Sequence, residues 1–497
     1  MLLLRSATLL TASETFQADL LIEGEKIAAI FRTDLQPPNF HLANLHPSTE
    51  TLDCTGKLIL PGGVDPHCHF ALPMFDTISS DDHYTGHKAA AFGGTTTVMD
   101  FVPQMPPSPA GRGRGTSFRR GEGGVLQHSI ETWHAKADSL AAIDFGFHAN
   151  ITTLTSEVET EIPRLLDLGI STLKTFMAYN GRLRLQDGEI FRVLQIAKEN
   201  GMLVMLHAEN GDVIERLTVD TLARGNTSPA WHALTRPAWS AVDATLRGAA
   251  LAAQADSPLY IVHMNTSGEV DMLQYARQRG VPVMGETCPQ YLFFTADHLA
   301  RADGAKWVCS PPMRTEADQE RLWVGLKDGT LQTIGTDHCP FFFDGTTPIE
   351  YEGEPIAIPG KELGKDDFTK IPNGLPMVGD RLPILWTYGV RAGRLTPNQF
   401  VALTSTNPAK IFGLYPRKGA LLPGSDADLV IWDPEKRVKY GLAHAHHRTD
   451  YNLFEGWELT GCPEKVFLRG QLIVDGDQWL GRKGMGRFLK RSSYQLL

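Results

Sequence analysis

Apolar residues along this chain are arranged in two textures. From Leu2 to about residue 57, short apolar runs are separated by tight turns, as in ADLLIEGEKIAAIF (18–31), where Gly24 divides two runs. That pattern predicts short strands joined by hairpins. It returns beyond about residue 415, in GALLPGSDADLVIWD (419–433) and EKVFLRGQLIVDGD (464–477). The two ends are therefore expected to pair into one small β-sandwich domain, with a different domain inserted between them.

In the interior, short apolar runs alternate with longer helical stretches, the signature of repeated βα units and a parallel sheet. The runs are KLIL (57–60), TTTVMDFV (95–102), FGFHANIT (145–152), STLKTFMA (171–178), GMLVML (201–206), PLYIVHM (258–264), VPVMGET (281–287) and LQTIGT (331–336). Eight such runs predict an α/β fold of the (β/α)8 TIM-barrel type, although periodicity alone also allows an open doubly wound sheet. The expected division is 1–57 and 415–475 for the small β domain, 58–414 for the barrel, and 476–497 for a basic, Gly-rich tail. Such a tail is expected to pack on a neighbouring subunit or remain solvated.

Composition narrows the function classes. The 497 residues are 42% hydrophobic and carry a formal charge of -10, so the chain reads as an ordinary globular protein with no overall basic face for nucleic acid or an anionic membrane. A small-molecule substrate fits better. The six cysteines are scattered without CxxC pairs, as in reduced cytoplasmic proteins. Arg5 and polar residues interrupt the first apolar run before it could form a signal-peptide core, and no stretch approaches the ~20 apolar residues of a membrane span. Residues 104–124, rich in Pro, Gly and Arg, read as a surface loop, because the arginines lack the interleaved aromatics of a nucleic-acid tract.

The titratable residues fall at telling places on this strand map. His67 and His69 follow the first run, His207 ends the fifth, His263 the sixth and Asp337 the eighth, while Lys174 lies inside the fourth. Carboxyl ends of barrel strands converge on one face, so these residues would become neighbours. Each histidine alone reads as a structural residue, but four imidazoles and a carboxylate at one mouth match the needs of zinc or a similar metal, and the period of two sends both histidines of His67-x-His69 to one side. Lys174 would be repelled as an ammonium, so burial there favours the neutral amine, which can capture carbon dioxide. The resulting carbamate offers one oxygen to each of two metals. HAHH (444–447) reads as a polar loop, since no strand ends converge on it.

The chain resembles the cyclic amidohydrolases of the amidohydrolase superfamily, and among them the D-hydantoinase and dihydropyrimidinase family, through GGVDPHCH, AAAFGGTTTVMDF, LKTFMAY, LHAEN, VHMNTSGE, GETCPQYL, CSPPMR, IGTDHCPF, PNGLPMVGDRLP, TSTNPAKIFGLYPRKG and GSDADLVIWDP. The resemblance covers nearly the whole chain; the 104–124 segment has no counterpart in it. It implies that His67, His69 and Asp337 bind one divalent metal, that His207 and His263 bind another, and that Lys174, as N6-carboxylysine, bridges them, with Zn expected and Mn or Co acceptable.

The resemblance further implies hydrolysis of the ring amide of dihydropyrimidines and 5-substituted hydantoins to N-carbamoyl amino acids. Tyr179 would steady the oxyanion and Asp337 would move the proton. Backbone groups at Ser310 and Asn373 would read the ureide, and Met74, Phe176 and Leu183 would form a lid over the substituent. A homotetramer is also implied. Allantoinase is the alternative activity, and a non-catalytic dihydropyrimidinase-related scaffold protein a more distant one. A dihydroorotase would carry an Arg two residues after His-x-His, where this chain has Ala71.

Overall fold

The computed structural model describes residues 1–33, 46–74, 77–105, 124–345, 348–351 and 354–497. Most of the Gly/Arg-rich segment, 106–123, lies outside the described residues. Two sheets organise the chain: a mixed sheet of nine strands drawn from both ends, and a parallel sheet of eight strands from the interior. The α/β barrel with an appended β domain is the architecture expected.

Seven of the eight predicted runs are barrel strands, neighbours in sequence being neighbours in space from Thr95–Val102 through Asp144–Asn150, Thr172–Phe176, Leu203–His207, Leu259–Ile261 and Val283–Thr287 to Thr333–Ile334. The first run is a correction. Leu58–Pro61 belongs to the mixed sheet, pairing parallel with Leu2–Leu10 and antiparallel with Leu429–Lys439, and so joins the N-terminal strands to the C-terminal ones. The first barrel strand is instead Gly63–Cys68. Its sequence, GVDPHC, carries no apolar run because its buried positions include Asp65 and His67. Where the chain crosses between sheets, a Cβ at Gly62 would lie 2.1 Å from Thr96 Oγ1, and one at Gly63 2.9 Å from Thr95 Oγ1. Only glycine fits so close an approach.

Closure of the barrel falls between Gly63–Cys68 and Thr333–Ile334. Cys68 bridges His338, and the His69 amide donates to the His338 carbonyl at 2.7 Å. Arg381, fully buried, donates from Nη1 to the carbonyls of Val64 (3.0 Å) and Ile334 (2.9 Å), one on each side of the seam. Asp65 accepts from the Thr336 amide at 3.1 Å and its hydroxyl at 2.7 Å.

Helices begin promptly after the strands that lead to His207 and His263. Thr266 caps Ser267–Arg277 in a capping box with Glu269, three residues beyond His263, and Asn210 caps Gly211–Ala223, three beyond His207. These side chains satisfy amide donors that the first helical turn leaves free. His207 and His263 thus stay at the strand mouths.

The opposite end of the barrel is closed by the tail, contrary to expectation. Leu489 and Phe412 join Val64, Met99, Met205 and Met284 in one apolar cluster, while the Leu489 amide donates to Phe145 O (2.7 Å) and the Arg491 amide to Gly169 O (3.0 Å). Leu489 supplies the apolar plug, and the Arg491 guanidinium reaches Thr172 Oγ1 at 2.8 Å. The histidines of HAHH diverge: His446 stacks on Phe92 at 3.6 Å, His447 accepts from the Gly379 amide at 3.0 Å, and His444 lies 6.0 Å from Tyr440. Among the described residues no helix is long and apolar enough to cross a membrane.

Arg381→Met should strand two carbonyls and the Asp65 carboxylate in the interior, a loss of about 3–5 kcal/mol for a broken buried pair. A clear fall in the denaturant midpoint is expected; an unchanged midpoint would show that the seam closes without the guanidinium.

Candidate metal centre

His67 and His69 leave the first barrel strand on the same side, as a period of two requires, and meet Asp337 just beyond the last. His67 Nε2 and His69 Nε2 each lie 3.1 Å from Asp337 Oδ1. Among the described residues, this trio is the group of His, Cys, Asp or Glu whose donor atoms cluster closely enough to hold an ion, all within 4.8 Å of one another. Next to it, His207 Nδ1 faces His263 Nε2 at 3.0 Å, and the His67 and His263 ring centroids are 5.4 Å apart. The predicted histidines and aspartate therefore form one row with two clusters of donors.

Lys174 sits within the same wall. Its side chain is buried, and Nζ lies 5.1 Å from the Phe101 ring centroid and 5.3 Å from that of Phe176. Phe101 packs on His67 and His69, with centroids 4.6 and 5.0 Å away, whereas Phe176 packs on His207 at 5.9 Å. The amine thus lies between rings that flank the two clusters. Burial lowers its pKa to about 7, against the pull of Asp337 and Glu286, so a large neutral fraction exists near physiological pH.

Two carboxylates that sequence reasoning missed hold the imidazoles. His67 Nδ1 donates to Glu286 Oε1 at 2.7 Å, which leaves Nε2 toward Asp337, and His207 Nε2 donates to Glu209 Oε2 at 2.9 Å, which leaves Nδ1 toward His263. Arg236 Nη1 donates to the same Glu209 oxygen at 2.7 Å. Burial alone would raise the Glu209 pKa, yet Arg236 and His207 hold it at about 2. Burial opposes protonation of His67, but Glu286 and Asp337 outweigh it and raise the pKa to about 9. Asp337 stays well below the carboxylate range because its histidines overcome burial. Glu209 and Glu286 had a sequence signal: each is a carboxylate in or just after a buried strand, where charge needs a partner.

The arrangement fits a pair of metal ions. A tetrahedral ion with bonds of about 2.0–2.1 Å to imidazole keeps its donors roughly 3.3 Å apart, close to the 3.0 and 3.1 Å spacings found. The Nδ1 atoms of His69 and His263 are buried and without a hydrogen-bond partner.

The remaining predicted residues lie at different removes from this row. Tyr179 lies 5.1 Å from His207 between ring centroids, with Arg236 5.5 Å from its ring, and burial raises its pKa to about 12. Ser310 Oγ pairs with His232 Nε2 at 3.2 Å, and the Gly374 amide donates to Val308 O at 3.1 Å, tying the loop of Asn373 to that of Ser310. Phe176 is part of the wall itself. Leu183 belongs to the turn that closes on the Tyr179 carbonyl, its amide donating at 3.0 Å. Met74 sits in a separate two-stranded hairpin, Pro73–Met74 with Thr77–Ile78.

Residues 58–473 match the amidohydrolase family, and the chain is 44% identical to a D-hydantoinase of Geobacillus stearothermophilus over 100% of its own length and 97% of the relative's. The chain belongs to the amidohydrolase family, in the group of the D-hydantoinases and dihydropyrimidinases. A D-hydantoinase of Streptomyces coelicolor is 40% identical, over 99% of this chain and 98% of that one. The crystal structure of dihydropyrimidinase from Brevibacillus agri superposes with a TM-score of 0.89 at 44% identity, covering 99% of both chains. This amidohydrolase fold explains why donors from both ends of the barrel sequence meet at one mouth.

Glu286 and Asp337 hold the proton of His67 up to about 9, so an ion taking His67 as a ligand would have to displace it. Binding to the demetallated protein should tighten as pH rises from roughly 6 to 9, with proton release visible to an indicator dye. Affinity independent of pH over that window would contradict the assignment of His67 as a ligand.

Proposed function

We propose that the protein is a binuclear-metal cyclic amidohydrolase that opens the ring amide of dihydropyrimidines and hydantoins to N-carbamoyl amino acids. The observation that carries this reading is the pairing of the His67–His69–Asp337 and His207–His263 donor clusters around one buried lysine. His67, His69 and Asp337 would hold one ion, His207 and His263 the other, and Lys174, carboxylated by carbon dioxide, would bridge them. Imidazole and carboxylate donors suit Zn, with Mn or Co as substitutes. When bound, the ions would supply a water whose pKa falls to roughly 7 and polarise the carbonyl.

The protein's own groups do the rest. Asp337, held ionised, accepts a proton from the attacking water and delivers it to the departing ring nitrogen. Tyr179, kept protonated by its raised pKa, donates a hydrogen bond to the carbonyl oxygen as charge develops there. Backbone groups at Ser310 and Asn373 orient the ureide; the tie between their loops supports a shared role. Phe176 and Leu183, beside Tyr179, would meet the ring substituent, with Met74 closing over it. On this reading the barrel from Gly63 to about residue 414 carries catalysis, residues 1–57 and 415–475 brace it, and 476–497 seals its floor. The six cysteines are buried free thiols, which favours a cytoplasmic enzyme, and the homotetramer remains the assembly that the sequence resemblance implies.

Zinc-supplemented protein should hydrolyse hydantoin and dihydrouracil, followed by loss of ring absorbance. Two bound metals without turnover of either would redirect the substrate to allantoin or another cyclic amide, and neither metal nor turnover would overturn the reading. Lys174→Ala should lose both metal and activity, with partial rescue by a small carboxylic acid; full activity would exclude the bridging role. For Tyr179→Phe, kcat should fall roughly 100- to 1000-fold at unchanged metal content. Loss of metal instead would place the phenol among the ligands' supports.

A further inference from the structure

We propose that Glu286 is the positioning residue that couples the two halves of the metal centre, an inference that rests on the binuclear reading. Its side chain is fully buried, on the strand Val283–Thr287. One oxygen, Oε1, accepts from His67 Nδ1 at 2.7 Å and from the His263 backbone amide at 3.1 Å. The other, Oε2, accepts from the Tyr260 hydroxyl at 3.0 Å, which in turn lies 2.5 Å from Thr333 Oγ1. One carboxylate thus connects the first, sixth, seventh and eighth barrel strands, and it touches one residue from each donor cluster.

The contacts act on the ligands in two ways. By accepting the Nδ1 proton, Glu286 orients the His67 ring so that Nε2 is the nitrogen that faces Asp337 and is left to bind an ion. By accepting the His263 amide, it holds a residue whose φ of 40° lies in the left-handed region, a strained conformation that persists only where its surroundings enforce it. Space for the carboxylate is provided by Gly335, where a Cβ would come within 2.6 Å of Oε2 and 3.1 Å of His67 Cβ. Glu209, by contrast, contacts His207 and Arg236, so it supports one cluster.

The test compares E286Q with E209Q, reading the affinity for each metal by chelator competition, the visible spectrum of the Co(II)-loaded protein, and the fold by circular dichroism. A glutamine oxygen can still accept from His67 and His263, so E286Q should fold while both ions are weakened together, by about 10- to 100-fold for a ligand's hydrogen-bonded support, with a shifted Co(II) spectrum. E209Q should weaken one ion. Unchanged affinities and spectrum in E286Q, weakening confined to one ion, or failure of E286Q to fold would each overturn the coupling role. Wild-type protein that binds no pair of ions would sink the binuclear reading and this proposal with it, whereas unaltered E286Q sinks this proposal alone.

Discussion

The site depends on closure of the barrel between its first and last strands. His67 and His69 lie more than two hundred residues from Asp337 in sequence, and nothing local brings them together. The seam does. Asp65 accepts from the His67 amide at 3.2 Å and from the Thr336 amide at 3.1 Å through the same oxygen, so the backbones that carry His67 and Asp337 are tied together. Arg381 adds a cation that bridges carbonyls on both sides and stands 3.9 Å from Asp65. A buried guanidinium is tolerable because its donors meet carbonyls and a carboxylate in the same place.

Around that seam the electrostatics are arranged in opposed pairs. Four imidazoles and a lysine in a dry site would repel one another if charged, and burial drives His263 and Lys174 toward their neutral forms. Asp337, Glu286 and Glu209 then decide which nitrogens keep protons. Glu286 takes Nδ1 of His67 and Glu209 takes Nε2 of His207, so the two histidines present opposite nitrogens to the site. The choice of ligand atom follows from where each carboxylate stands, and the local sequence of the histidine does not determine it.

Much of this was readable in the sequence because the barrel strands are buried on both faces, and such strands appear as apolar runs. The polar residues at their ends stood out against that background, which is how His207, His263 and Asp337 were found. The first barrel strand lacks that pattern. Gly63–Cys68 devotes buried positions to Asp65 and His67, so the apolar run just before it, which belongs to the other sheet, took its place. Glu286 and Arg381 are single charges whose partners lie on distant strands: a carboxylate in a buried strand marks Glu286 as needing a partner, but spacing does not say which. Basic residues dominate the composition of the tail, whereas its place is decided by Leu489 in the apolar cluster and by the buried Arg491 guanidinium on Thr172.

Side-chain alternation along a strand aims His67 and His69, but it cannot aim donors that must leave the strand direction. There the backbone itself turns. Tyr179, His263 and Asp337 have φ of 68°, 40° and 52°, and three left-handed non-glycine residues in one site would cost about 1–3 kcal/mol each. The strain persists because hydrogen bonds over-determine each turn: the Arg182 and Leu183 amides close on Tyr179 O, Glu286 accepts the His263 amide, and the His338 amide returns to His67 O just past Asp337. The left-handed turns convert strand ends into a concave set of donors, and the carboxylates and amides behind them brace that shape. Preorganisation of this kind lowers the ordering cost that metal binding would otherwise carry.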